Sequence, residues 1–123
     1  MEYLEKIDHL MKKEFRLRRS ADFRKVFKEG KRFLSPHFVL YMHKTILRQA
    51  RIAVSISKNH FKLATIRNRL RRIAKELFKK ELNTCFKGYD FVVTSRRAYP
   101  HSNISKVVKE LRYLITKPRY VNI

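Results

Sequence analysis

Ala64-Thr-Ile-Arg-Asn-Arg-Leu-Arg-Arg-Ile-Ala-Lys-Glu-Leu-Phe-Lys-Lys80 is the stretch on which the fold turns. At 100° per residue, Ile66, Leu70, Ile73 and Leu77 fall within one narrow arc, with Leu63 and Ala74 beside it. That spacing predicts an amphipathic helix from Ala64 to about Lys80. Asn68, Arg72, Lys75 and Lys79 gather on the opposite side, Arg71 borders them, and Arg67 and Arg69 stand on the two flanks. One face of the helix is therefore core and the other is a cationic ridge.

Strand patterns flank this helix. His37-Phe-Val-Leu-Tyr-Met-His43 alternates and is rich in β-formers, with Phe38, Leu40 and Met42 on one face and Val39 and Tyr41 on the other. Arg51-Ile-Ala-Val-Ser-Ile-Ser57 is a second strand with Ile52, Val54 and Ile56 on one face. The seven residues between them suit an antiparallel hairpin. Lys87-Gly88 marks a turn, and Tyr89-Asp-Phe-Val-Val-Thr-Ser95 is a third strand. Upstream, Ser20 can cap a helix that carries Asp22 in its first turn and Phe23, Val26 and Phe27 as a stripe, with Gly30 closing it at C′. A last helix starts near Ser102 or Asn103, carries Ile104, Val107, Val108, Leu111, Leu114 and Ile115, and ends at Pro118. The order α-β-β-α-β-α predicts an α+β fold, a small mainly antiparallel sheet packed with about three helices. Residues 15–123 read as a single α+β domain. Residues 1–14 read as an N-terminal extension, in which Tyr3, Ile7, Leu10, Met11 and Phe15 mark a short amphipathic helix over 3–15. Met11 is an alternative start to Met1.

Composition says what the ridge faces. The 123 residues hold 31 Lys+Arg against 10 Asp+Glu, a net charge of +21, while 44% hydrophobic and 12% aromatic content suffice for a core. A globule so charged repels itself, and a polyanionic partner, nucleic acid or an anionic membrane, is the natural remedy; charge alone does not choose between the two. Between Glu29 and Glu76, 46 residues contain no Asp or Glu but twelve cations: Lys31, Arg32, Lys44, Arg48, Arg51, Lys58, Lys62, Arg67, Arg69, Arg71, Arg72 and Lys75. A solvated face mixes signs, because like charges at i,i+4 repel; a stretch purged of acids points to phosphates. No apolar run reaches membrane-spanning length, and Glu2, Glu5 and Asp8 stand where a signal peptide would be basic and then apolar. Cys85 is the only cysteine, which excludes an internal disulfide and a cysteine-based zinc site. These features point to a cytoplasmic protein; neither a membrane partner nor a dedicated small-molecule ligand is expected.

Catalytic chemistry has no signature here. Metal-assisted phosphodiester cleavage needs clustered carboxylates, yet Asp22 and Asp90 have no acidic neighbour within five residues. The five histidines His9, His37, His43, His60 and His101 show no acid–base pairing in sequence and read as surface or RNA-contacting groups. No phosphate-binding glycine loop and no nucleophile triad is present, so neither catalytic nor metal-binding residues are assigned.

The segment Ser57-Lys-Asn-His-Phe-Lys-Leu-Ala-Thr-Ile-Arg-Asn-Arg-Leu-Arg-Arg-Ile-Ala-Lys75, with Arg67-Asn68-Arg69 at its heart, resembles the signature of the bacterial ribonuclease P protein subunit family. The likeness extends over about residues 15–117. It takes in Arg16-Leu-Arg-Arg, the Asp22-Phe-x-x-Val-Phe-x-x-Gly30 helix, Phe38-Val-Leu-Tyr41 and Tyr89-Asp-Phe-Val-Val. Asn59 stands where the family usually has Lys, Phe61 where Gly is common, and Arg71 where Lys is frequent.

The resemblance implies a ribonuclease P holoenzyme in which a large RNA carries the active site. This small protein assists endonucleolytic removal of the 5′ leader from precursor tRNA, using Mg²⁺ held by the RNA. It implies a left-handed β-α-β crossover around the basic helix. Lys58, Lys62, Arg67, Asn68, Arg69, Arg71, Arg72 and Lys75 are then expected to bind the catalytic RNA, through bidentate Arg–phosphate contacts and an amide able to reach phosphate, sugar or base. Phe23, Phe27, Val39 and Tyr41 match the positions lining the family's leader cleft, where single-stranded bases stack on aromatic rings. Spacing alone would make both Phe residues simple core. An alternative is a non-enzymatic structural RNA-binding protein, such as a ribosomal protein or RNA chaperone, which explains the charge but not the motif spacing. A DNA-binding recognition helix lacks the preceding helix of a helix-turn-helix.

Overall fold

The computed structural model describes Leu17 and residues 20–120. The expected extension over residues 1–14, its short helix and the alternative start at Met11 lie outside the described residues. Helix α1 (Ser20–Glu29) leads into β1 (Lys31–Leu34) and β2 (Phe38–Lys44), followed by β3 (Arg51–Ser55), α2 (Ala64–Leu77), β4 (Tyr89–Ser95) and α3 (Ser105–Thr116). The strands form one mixed sheet in the order β1-β2-β4-β3. β2 pairs antiparallel with β1 and β4, whereas β3 pairs parallel with β4. The α+β class and the three helices agree with the sequence.

The expected β2–β3 hairpin does not form: β4 lies between the two strands. The burial of Phe91, Val92 and Val93 explains this, since these three consecutive residues of β4 are each wholly enclosed. A strand apolar on both faces belongs in the middle of a sheet. β3, with Ser55 exposed and Arg51 at its start, suits an edge. Parallel pairing of β3 and β4 needs a long connection, and α2 supplies it. β1 was not expected; only Phe33 of its four residues is buried, too little for an alternation signal.

The face of the sheet carrying Phe38, Leu40, Met42, Ile52, Phe91 and Val93 packs against Leu70, Ala74 and Leu77 of α2 and Val107, Leu111, Leu114 and Ile115 of α3. Ile66 and Ile73 are partly buried beside them, as the stripe predicts, but Leu63 is exposed. Beyond Leu77 the chain winds on as a π-helical turn over Phe78–Leu82. The Asn83 N–H donates to the Phe78 carbonyl at 2.9 Å, and both Phe78 and Leu82 are buried. α3 begins at Ser105 rather than Ser102 or Asn103, because the Asn103 Oδ1 accepts both the Ser105 N–H (3.1 Å) and its hydroxyl (2.9 Å). Pro118 sits in a 3₁₀ turn, Lys117–Tyr120, just past α3.

On the opposite face α1 lies over Val92, with Val26 and Leu17 buried against it. The Leu17 N–H donates to the Ile52 carbonyl, which ties the entering chain to the free edge of β3. Ser20 is the first residue of α1 rather than its cap. Gly30 ends the helix, but not in the left-handed conformation expected of a C′ glycine; among the described residues only Gly88 has positive φ. Gly30 is required for closeness: a Cβ there would stand 2.3 Å from the Val26 carbonyl oxygen and 3.1 Å from that of Met42.

Candidate nucleic-acid interface

α2 turns its core face inward and holds Arg69 exposed and Arg67, Asn68, Arg71, Arg72 and Lys75 partly exposed along its remaining surface. Lys58 and Lys62 are exposed on the loop before it. The helix is arranged poorly for its own stability. It has no acidic residue in its first turn and no side-chain cap at its N-terminus. Arg67/Arg71 and Arg71/Lys75 are like-charged i,i+4 pairs, each unfavourable by about 0.2–0.5 kcal/mol. Cations near a helix N-terminus also oppose the dipole. A phosphate backbone laid along this face relieves both.

These residues do not all play one part. The Arg67 guanidinium donates to the carbonyls of Phe61 (2.8 Å) and Lys62 (2.9 Å), so it clamps the loop that leads into α2. The Asn68 Oδ1 accepts from Arg71 Nη1 at 2.8 Å and orients that guanidinium. Arg69, Lys58 and Lys62 extend from the surface without such engagement in the fold.

Arg51, one of the twelve cations of the acid-free stretch, is drawn inside. Its Nε and Nη2 donate to the two carboxylate oxygens of Asp90 at 2.8 and 2.7 Å, and Asp22 of α1 lies 3.4 Å from Nη2. Asp90 is only 2% exposed. Hydrogen bonding to Asp90 raises the Arg51 pKa above its ordinary value, against the opposing effect of burial. The fold thus brings together two carboxylates that are remote in sequence, but it places a guanidinium between them. Among the described residues, no group of three or more His, Cys, Asp or Glu is arranged to hold a metal ion. The triad floors a cleft of about 750 Å³ whose rim includes Lys25, Lys44, Ile46 and Leu47.

The histidines mostly serve the fold. His37 Nδ1 lies 2.8 Å from Glu110 Oε1, His43 Nε2 lies 3.2 Å from Glu29, and His60 Nδ1 lies 2.7 Å from the Ser95 hydroxyl. Only His101 is exposed among the described histidines.

The four expected cleft residues come together on the α1 side. Val39 and Tyr41 point to that face of β2, Val39 opposite Leu34 and Thr94, and Tyr41 opposite Arg32 and Val92. The Phe27 and Tyr41 rings meet edge to face at 4.9 Å, and Phe23 and Phe27 stack with centroids 6.4 Å apart. Their burial separates them. Val39 is buried and Phe23 and Tyr41 are partly buried, but Phe27 remains 45% exposed. Phe27 is not core, and its ring offers an open stacking surface.

A smaller pocket of about 290 Å³ lies between the loop before α2 and the β4–α3 loop. The sequence reading missed it. The available signal was a second acid-free run, from Asp90 to Glu110, that contains Arg96, Arg97, Tyr99 and His101.

A basic ridge on a crossover helix, together with an aromatic groove on the other face of a mixed sheet, defines a small polyanion-binding α+β protein. The family model for ribonuclease P matches residues 11–119. A ribonuclease P protein component from Clostridioides difficile is 33% identical over 102 residues, covering 82% of this chain and 89% of the relative. One from Ureaplasma urealyticum is 36% identical over 105 residues, covering 82% and 88%. Among solved structures, a Staphylococcus aureus RNase P protein mutant with defective mRNA degradation activity superposes with a TM-score of 0.72 at 25% identity, covering 91% of this chain and 94% of that one. The RNase P protein from Thermotoga maritima gives 0.63 at 30% identity, covering 83% and 96%. The chain belongs to the ribonuclease P protein family. It is an RNA-binding component of the ribonuclease P ribonucleoprotein, works with its RNA subunit and takes part in tRNA processing. Among the described residues no helix is long and apolar enough to cross a membrane.

Proposed function

We propose that the exposed face of α2 docks on the ribonuclease P RNA and that the groove between α1 and the sheet receives the 5′ leader of precursor tRNA. The holoenzyme then removes the leader endonucleolytically. The observation that carries this is α2 itself: a helix whose outer face gathers Arg69, Arg71, Arg72 and Lys75 with no acidic residue in its first turn. Arg69, Lys58 and Lys62 meet phosphates directly, Arg71 does so in the orientation set by Asn68, and Arg67 holds the loop that presents Lys62. On the other face, Phe27 and Tyr41 offer rings for unpaired leader bases, and Phe23 and Val39 support them.

Mg²⁺ would activate water and stabilise the leaving oxygen at the scissile phosphodiester. Asp22 and Asp90 do not suit it, because Arg51 engages both oxygens of Asp90 and stands between the two carboxylates. In this reading the metal is held by the RNA, as the resemblance implies, and this chain contributes binding and orientation. Purified protein added to a bacterial ribonuclease P RNA should restore precursor-tRNA cleavage at low Mg²⁺, and the protein alone should cleave nothing. Failure to stimulate several such RNAs would overturn the proposal.

A further inference from the structure

We propose that the pocket between the loop before α2 and the β4–α3 loop is a binding site for one unpaired nucleobase of the ribonuclease P RNA. The site rests on the docking of α2 to that RNA and extends it beyond phosphate contacts.

Two residues that depart from the family pattern build the pocket. Phe61 is buried and stacks between Phe38, at 5.8 Å, and Tyr99, at 6.0 Å. Tyr99 is fixed further: its N–H donates to the His60 carbonyl at 2.9 Å and its hydroxyl to the Asn103 carbonyl at 2.9 Å. His101 meets Tyr99 edge-on at 5.2 Å and is itself exposed. The floor is therefore a rigid aromatic platform that the fold has already ordered.

The rim has the chemistry of a base site. Leu63, 55% exposed at the mouth, and Ile66 supply apolar wall, while Asn59 and Ser102 supply donors and acceptors for a base edge. His60, held by the Ser95 hydroxyl 2.7 Å from its Nδ1, also lines the pocket. Mostly apolar lining with a few convergent polar groups is the general form of a ligand site, and ring stacking is how proteins hold unpaired bases. Charge selects the occupant. Both loops come from acid-free runs, and Lys58, Lys62, Arg96 and Arg97 stand on them. Arg67, which clamps Phe61 and Lys62, makes the pocket continuous with the α2 ridge. A nucleotide of the RNA lying on that ridge is the occupant that meets cations and rings together.

The test titrates the whole chain against a bacterial ribonuclease P RNA at several salt concentrations. Asn59→Ala combined with His101→Ala should weaken binding about tenfold, in the range one base stack supplies. The salt slope should not change, because no Lys or Arg is removed. Both side chains are exposed, so the fold is kept. His101→Phe, which keeps a ring, should bind as the unaltered chain does. A base-reactive probe should find one unpaired nucleotide protected by the unaltered protein and reactive with the double variant. Unchanged affinity and an unchanged footprint would overturn the pocket; if Arg69→Glu still weakens binding in that assay, the ridge stands without it. A loss seen only with precursor tRNA present would overturn the assignment to the catalytic RNA. No binding by the unaltered chain would overturn ridge and pocket together.

Discussion

The two faces of the sheet are built by different means. Under α2 and α3, twenty buried apolar residues form one continuous core. Under α1 the buried apolar set among the described residues is small, Leu17, Val26 and Val92 with Val39 on the same face, and polar ties do the rest: Asp22–Arg51–Asp90 and Glu29–His43. An apolar core gains stability in proportion to the area it seals from water. Directional pairs fix the position of a helix without sealing it. The thin face can therefore keep Phe27 and part of Tyr41 open beside a well-placed α1, which the thick face could not do without losing its core.

The largest expected effect that tests this contrast lies on the thick face. Phe91→Ala should cost about 3–5 kcal/mol by cavity formation, read as a fall in the denaturant midpoint. On the thin face, Asp90→Ala should cost about 3 kcal/mol, because it strands a mostly buried guanidinium beside the weaker Asp22 contact. A loss below about 1 kcal/mol would show that the α1 side does not depend on that pair. Phe27→Ala should cost less than about 1 kcal/mol in stability, since the ring is half open. It should still lower the preference for precursor over mature tRNA by about five- to tenfold. Equal loss for both RNAs would mean that Phe27 serves packing only.

The finest test separates cations by use. Arg69→Ala should reduce the slope of log affinity against log salt by about 1. Arg51→Ala should leave that slope unchanged while lowering stability, because its charge is already met inside the protein.

Much of the architecture was legible in the sequence because it rests on local periodicity. The 3.6-residue stripe Ile66–Leu70–Ile73–Leu77 and the alternation of Phe38, Leu40 and Met42 each name the side facing the core. Strand partners are not local. Six residues between β2 and β3 permit a hairpin, and only the burial of β4 on both faces excludes it. The ridge was legible as charge, but charge does not reveal employment. Arg51, Arg67 and Arg69 look alike in sequence, yet one is enclosed by carboxylates, one grips backbone carbonyls and one extends from the surface. The cleft residues were placed by resemblance; burial then distinguished Phe27, which is open, from Val39, which is not.

The place of β4 also sets a timetable. Among the described residues it is the last strand made and the only one that pairs with both β2 and β3. Until residues 89–95 have left the ribosome, no strand pairing joins β1 and β2 to β3 and α2. Assembly must then close contacts between distant parts of the chain, a step that topology makes slow relative to helix formation. A chain halted before Tyr89 should show helix but, of the native sheet, no more than the β1–β2 pair.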